Sequence, residues 1–272
     1  MRRLHLFEWE DQHWLPHTIR DFLTDQLRFV QSQSRAAAMQ RAIGGLLQQA
    51  LERAGTREVV DLCAGAGGPL LAVQKRLRDE AGFRFRLTMT DLFPNAAAFE
   101  RIEKAGGGEV QCHREPVSVF DVPAGMRGLR TLCTALHHFR PADAHRILQD
   151  AVDKRCGIAI FEPLDRGPKL FLLVSVGAFF ASFLTAPFVG RMTVSRFVLT
   201  YLLPLCPLAM AWDGAVSVLR SYSVPELEAL TADLGEGEYS WAMARMYVPT
   251  PLGGMPLTYL IGLPLDKGAV AR

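Results

Sequence analysis

The sequence lacks paired cysteines: Cys63, Cys112, Cys133, Cys156 and Cys206 are scattered, odd in number and free of any CxxC spacing. Neither a disulfide framework nor a cysteine-based zinc site is expected, and a reducing compartment suits the chain. An excess of one charge is also missing. With 30 Lys and Arg against 28 Asp and Glu, the formal charge is +2, too balanced for the basic field that phosphate-backbone binding uses. Nucleic acid is therefore excluded as a primary partner. The basic opening MRRLHLFEWEDQHW cannot continue into the apolar core of a secretory signal, because Glu8, Glu10 and Asp11 interrupt it. A cytoplasmic protein is expected, either free or at the cytoplasmic face of a membrane. There are no internal repeats and no low-complexity tracts. Charge itself is scarce, at 21% of residues against 49% apolar types, where about 25% charge is ordinary. Some segment must be unusually apolar.

What is present is enough chain, 272 residues, to bury a core without staples. From Leu15 to Ala54 apolar residues recur at helical steps (Ile19, Phe22, Leu23, Leu27, Val30, then Ile43, Leu46, Leu47, Leu51), which predicts two amphipathic helices. Glu58 to Leu62 is then a short apolar run stopped by AGAGG, and Leu70 to Arg78 resumes helical spacing: strand, glycine loop, helix. Further strands are predicted at Phe85 to Thr90, Val117 to Phe120, Leu129 to Thr134 and Gly157 to Phe161, with a helix over Pro141 to Val152. Alternating strands and helices predict a parallel sheet covered on both faces. After residue 222 a helix opens at Ser223, where Ser223 and Glu226 form a capping-box pattern, and two late strands follow near 240–248 and 257–262.

The loop DLCAGAGG, residues 61–68, lacks phosphate hardware: Leu70 stands where a dinucleotide site has its third glycine, and no GK[ST] follows. Nor is there a Tyr-x-x-x-Lys pair for a nicotinamide reductase. Asp61 at the strand end would repel a pyrophosphate and attract a cation such as an ammonium or a sulfonium.

DLCAGAGG, Asp91 at the end of the second strand, Asp121 after the third and ALHHF at 135–139 resemble class I S-adenosylmethionine-dependent methyltransferases. The resemblance covers 57–165 well and 222–263 loosely. It implies a Rossmann-like seven-stranded α/β methyltransferase sheet with S-adenosylmethionine as cofactor. Gly65 and Gly67 would lie against the methionine part, Asp91 with Leu92 at the ribose, Asp121 with Val122 at the adenine, and Thr134 with Ala135 beside the methionine end. Cys63 departs from the pattern, standing where many members carry a glycine.

For the acceptor side, His137 and His138 lie beyond strand four, at the sheet edge where ligands gather, and are the candidate bases for removing an acceptor proton. Asp213, Ser217 and Arg220 share a helical face and are candidates for a polar head group. Trp14 is a candidate from an N-terminal lid. No metal ligand set is expected. Leu170 to Gly190 carries no charge over 21 residues, and Phe197 to Trp212 adds 16 more. This apolar stretch reads as two membrane spans, as a monotopic hairpin or as the wall of a lipophilic pocket. Arg191 and Arg196 between the runs, and Pro204 and Pro207 within the second, weigh against the spans. The expected organisation is a helical extension over 1–56, a methyltransferase core over 57–168 and 222–272, and an apolar helical insertion over 169–221. The expected function is methylation of a small lipophilic acceptor at oxygen, with a non-catalytic S-adenosylmethionine-binding or membrane-scaffolding protein as the alternative.

Overall fold

A computed structural model describes residues 1–32, 36–65, 67–250 and 253–265. Helix α1 (His17–Ser32) is followed by α2 (Ala37–Arg53), β1 (Glu58–Asp61), α3 (Leu70–Ala81), β2 (Arg86–Met89), α4 (Ala96–Gly106), β3 (Val110–Cys112), β4 (Leu129–Cys133), α5 (Pro141–Asp153) and β5 (Ile158–Glu162). Then come α6 (Pro168–Thr185), α7 (Val194–Phe197), α8 (Leu205–Arg220), α9 (Val224–Thr231), β6 (Tyr239–Thr250) and β7 (Gly253–Pro264). The chain divides into two units: Met1–Ala36 with Leu164–Tyr222, and Ala37–Pro163 with Ser223–Arg272.

The second unit is a seven-stranded sheet in the order β3-β2-β1-β4-β5-β7-β6. β1 to β5 pair in parallel, while β7 runs antiparallel to both β5 and β6. The sheet is Rossmann-like and seven-stranded, as the resemblance implies, and its strand order reverses at β1/β4, where α/β folds bind ligands. β5 reads IAIFE and is buried along its whole length, as a strand covered on both faces must be. Local chemistry sets the boundaries. Asn95 caps α4 by accepting from the Ala98 N–H at 3.0 Å, Gly82 closes α3 in the left-handed conformation, and the Ser223/Glu226 capping box opens α9.

Two expectations shift. The third strand is Val110–Cys112, not Val117 to Phe120; the latter is a loop whose Val117 and Val119 are buried and whose Val117 N–H donates to the Asp91 carbonyl. The expected extension over 1–56 divides at Ala36, because α2 packs Ile43, Leu47 and Leu51 into the core shared with Val73, Leu77 and Phe161 of the sheet unit. Gly128, before β4, permits the β1/β4 pairing: its φ is +130°, and a Cβ there would lie 2.6 Å from the Glu58 carbonyl oxygen. Gly128→Ala is therefore expected to destabilise the sheet by about 2 kcal/mol or more, read as a lower urea midpoint.

In the helical unit, α1 turns Ile19, Phe22 and Leu23 into a cluster with Ala186, Cys206 and Ala209. Arg196 is buried over the Phe22 ring and donates to Asp25 at 3.0 Å. Gly214 lets α8 approach α6 closely, since a Cβ there would meet Val174 Cγ1 at 2.5 Å. Residues 198–202 form a π-helical turn, and the path from there into α8 bends by 69°.

Candidate cofactor cleft

At the C-terminal ends of β1, β2 and β4 the sheet unit gathers the residues the resemblance points to. After β1 the chain needs several left-handed residues in succession: Cys63 at φ 57°, Gly65 at 54°, Gly67 at 128° and Gly68 at 39°. Cys63 adopts the conformation a glycine would supply, at a cost on the order of 1 kcal/mol. A Cβ at Gly65 would meet nothing within 4 Å, so this part of the loop faces open space; one at Gly67 would press on Ile102 at 3.2 Å. Asp91 ties the loop to β2. Its Oδ2 accepts from the Gly65 N–H and its Oδ1 from the Phe93 N–H, both at 2.8 Å. Leu92 and Phe93, next in the chain, are exposed.

Asp61 is buried beneath this loop, and its Oδ1 accepts from the Thr131 hydroxyl at 2.7 Å. Its other oxygen, Oδ2, would lie 4.0 Å from a Cβ on Gly68. Burial pushes its carboxyl up to about 7, with the negative Asp91 adding to the rise and the Thr131 hydroxyl opposing it. A carboxylate so reluctant to ionise gains from a nearby cation. Burial also pushes the Cys63 thiol up to about 12, so it is no nucleophile at neutral pH.

Beyond β4, Thr134 takes φ 57° and donates its N–H to the Phe161 carbonyl. The chain then makes a single 3₁₀ turn over Leu136–His138, held from below by Glu162 at the end of β5. Glu162 Oε1 accepts from the N–H groups of Ala135 at 3.0 Å and Leu136 at 2.7 Å, and Oε2 lies 2.8 Å from His137 Nδ1. Burial alone would raise the Glu162 carboxyl, but the two histidines and the Leu136 N–H outweigh it and hold the group below its ordinary value. An ionised Glu162 can only accept, so the Nδ1 that faces it is a protonated nitrogen. The His138 ring lies 4.3 Å from that of His137. Sequence reasoning missed Glu162, although an acid ending a wholly buried strand repeats the pattern of Asp61.

Asp121 is not at a strand end. It lies nine residues past β3, its side chain is 86% exposed, and Lys154 donates to it at 2.6 Å. The neighbouring Val122 is buried, and its N–H donates to Asp150 at 3.3 Å.

Trp14, Asp213, Ser217 and Arg220 belong to the helical unit. Asp213, Ser217 and Arg220 do share a face of α8, and the N-terminal segment occupies it. Asp213 accepts from the N–H groups of Trp9 at 2.7 Å and Glu10 at 3.1 Å, and Ser217 donates to Glu8 at 3.1 Å. Arg220 donates to the Leu6 carbonyl at 2.7 Å and to Asp11 at 2.9 Å. Burial pushes the Asp213 carboxyl up to about 7, against the two N–H donors that favour its charged form. Trp14 is 65% exposed and packs edge-on against Trp9.

No family model matches the chain, and no curated protein matches it. Solved structures do. The methyltransferase domain of bacterial CtHen1-CN is 14% identical over 82% of this chain and 97% of its own, with a TM-score of 0.47. NcsB1, an O-methyltransferase from neocarzinostatin biosynthesis solved with S-adenosylmethionine and 2-hydroxy-5-methyl naphthoic acid, is 18% identical over 83% of this chain and 57% of its own, at 0.43. An O-methyltransferase family protein from Burkholderia thailandensis is 16% identical over 86% and 60%, at 0.44.

Proposed function

We propose that the chain is an S-adenosylmethionine-dependent methyltransferase that methylates a small lipophilic acceptor at oxygen. The observation that carries this reading is the convergence, on one edge of the sheet unit, of the open glycine loop, Asp91 and the His137–Glu162 pair. The residues fit the cofactor. Gly65 leaves space for it, Asp91 supplies carboxylate lone pairs for two ribose hydroxyls, and Asp61 supplies a buried acid that a cation would stabilise. Gly67, Thr134 and Ala135 border the methionine end, with Leu92 beside the ribose and Val122 at the adenine. Asp121, bound by Lys154 and turned to solvent, contributes its backbone at most.

When bound, the cofactor supplies a methyl group on a positively charged sulfur. The chain's own work is to position and to move one proton. Glu162 fixes the tautomer of His137, and His137 Nε2 accepts the proton of an acceptor hydroxyl, with the tilted His138 ring beside it. Positioning supplies the remainder, because an in-line displacement requires little else of the protein. The lipophilic character of the acceptor rests on the apolar composition of the run 170–212.

The test is incubation of the protein with methyl-labelled S-adenosylmethionine and a lipid extract or a panel of alkyl phenols and hydroxy fatty acids. Label is expected in the organic phase as a methyl ether or ester. Cofactor binding without transfer to any of these would favour the non-catalytic alternative.

A further inference from the structure

Helix α6 has two faces of opposite character. Leu170, Val174 and Ser182 lie on one stripe at multiples of four residues; Leu170 and Ser182 are buried, and Val174 is where Gly214 of α8 makes its close approach. Offset by two residues, and so on the opposite side of the helix, runs Leu172, Val176, Phe180, Leu184 and Phe188, every one an exposed large apolar side chain, reaching 74% exposure at Leu184 and 76% at Phe188. Val194, at the start of α7, is 82% exposed. A ridge of this length is not what a helix presents to water.

Charge identifies what it meets. Between Asp165 and Asp213 the sequence contains no Asp or Glu, whereas Arg166, Lys169, Arg191 and Arg196 fall within that stretch. Arg196 is consumed by Asp25. Lys169 opens α6 and Arg191 follows its far end, both exposed, so the apolar ridge is bracketed by cations with no acid beside it in the chain. Apolar side chains flanked by exposed bases complement acyl chains beneath anionic head groups.

A span fits poorly. Residues 168–188 are long and apolar enough to cross a bilayer, but the inner face of α6 is packed on α8. Asp213 and Arg220 in the second half of α8 hold segment 6–11 with its three acids Glu8, Glu10 and Asp11, and Asp25 lies on the adjoining α1. Lipid cannot surround such a group. We infer that the outer ridge of α6 seats this unit in one leaflet of an anionic membrane surface, with Lys169 and Arg191 at the phosphate level and the second half of α8, which carries Asp213 and Arg220, on the water side. The cytoplasmic leaflet carries such lipids. The inference is independent of methyl transfer, because its readout is binding to lipid.

Flotation of the full chain with vesicles tests it. Phosphatidylcholine vesicles containing phosphatidylserine should bind the protein more tightly than phosphatidylcholine alone, the preference should fall with salt, and alkaline carbonate should release the protein. Leu184→Glu with Phe188→Glu should weaken binding by about tenfold or more, and Lys169→Glu with Arg191→Glu should remove the preference for phosphatidylserine. All four side chains are exposed, and unchanged circular dichroism confirms the fold. Resistance to carbonate would make α6 a span and overturn the inference. Failure to bind either vesicle would overturn it too, as would a dimer that Leu184→Glu dissolves, which would assign the ridge to a second copy of the chain.

Discussion

Asp91→Ala is expected to lower the affinity for S-adenosylmethionine by about tenfold to more than a hundredfold, because two ribose hydroxyls would lose a charged acceptor worth about 1.5 to 3 kcal/mol. The structure adds a second cost. Asp91 also accepts from the N–H groups of Gly65 and Phe93, so its removal leaves the glycine loop without its tie to β2. Asp91→Asn retains one acceptor oxygen and should fall between the two. Calorimetry on folded protein decides the matter, and an unchanged affinity for Asp91→Ala would withdraw the ribose assignment.

The second large effect concerns turnover. His137→Ala is expected to reduce kcat by about a hundredfold to ten-thousandfold with little change in cofactor affinity, the range that loss of a positioned general base produces. Glu162→Gln separates positioning from mere support. The amide oxygen can still accept from the Ala135 and Leu136 N–H groups, but the neutral side chain no longer dictates which His137 nitrogen carries the proton. Turnover should fall while cofactor affinity and the unfolding midpoint stay close to wild type. A purely structural role for Glu162 would instead lower the unfolding midpoint and the cofactor affinity together. If His137→Ala keeps full turnover, the acceptor arrives already deprotonated, as a carboxylate does, and positioning alone remains.

The parts of this fold that are legible in the sequence are those specified by local chemistry. Glu58 to Ala81 reads directly as strand, loop and helix because a buried apolar run, consecutive glycines and helical spacing follow one another within 24 residues. The Ser223/Glu226 cap is likewise local. The third strand is misread for the converse reason: VSVF alternates like a strand, but its valines are buried in a loop. The true β3, three residues with Gln111 exposed, is too short to carry a pattern. At the site, Asp61 and Asp91 announce themselves by ending strands, whereas the role of Glu162 depends on the fold bringing residues 25 to 27 positions apart into hydrogen-bond range. The common face of Asp213, Ser217 and Arg220 follows from helix geometry. What meets that face is a segment more than 200 residues away, and no periodicity encodes it.

The helical unit is assembled from the two segments 1–36 and 164–222, with part of the sheet encoded between them. Its first helix leaves the ribosome with Ile19, Phe22 and Leu23 on one side, and their partners Cys206 and Ala209 are synthesised last among that cluster. At about 5 to 20 residues per second, the interval is on the order of ten seconds or more. For that time α1 is an amphipathic helix without a home, while β1 to β5 already have one another as neighbours. The birth order of the chain thus lets β1 to β5 pair first, the helical unit close only when α8 emerges, and the antiparallel β6 and β7 complete the sheet last of all.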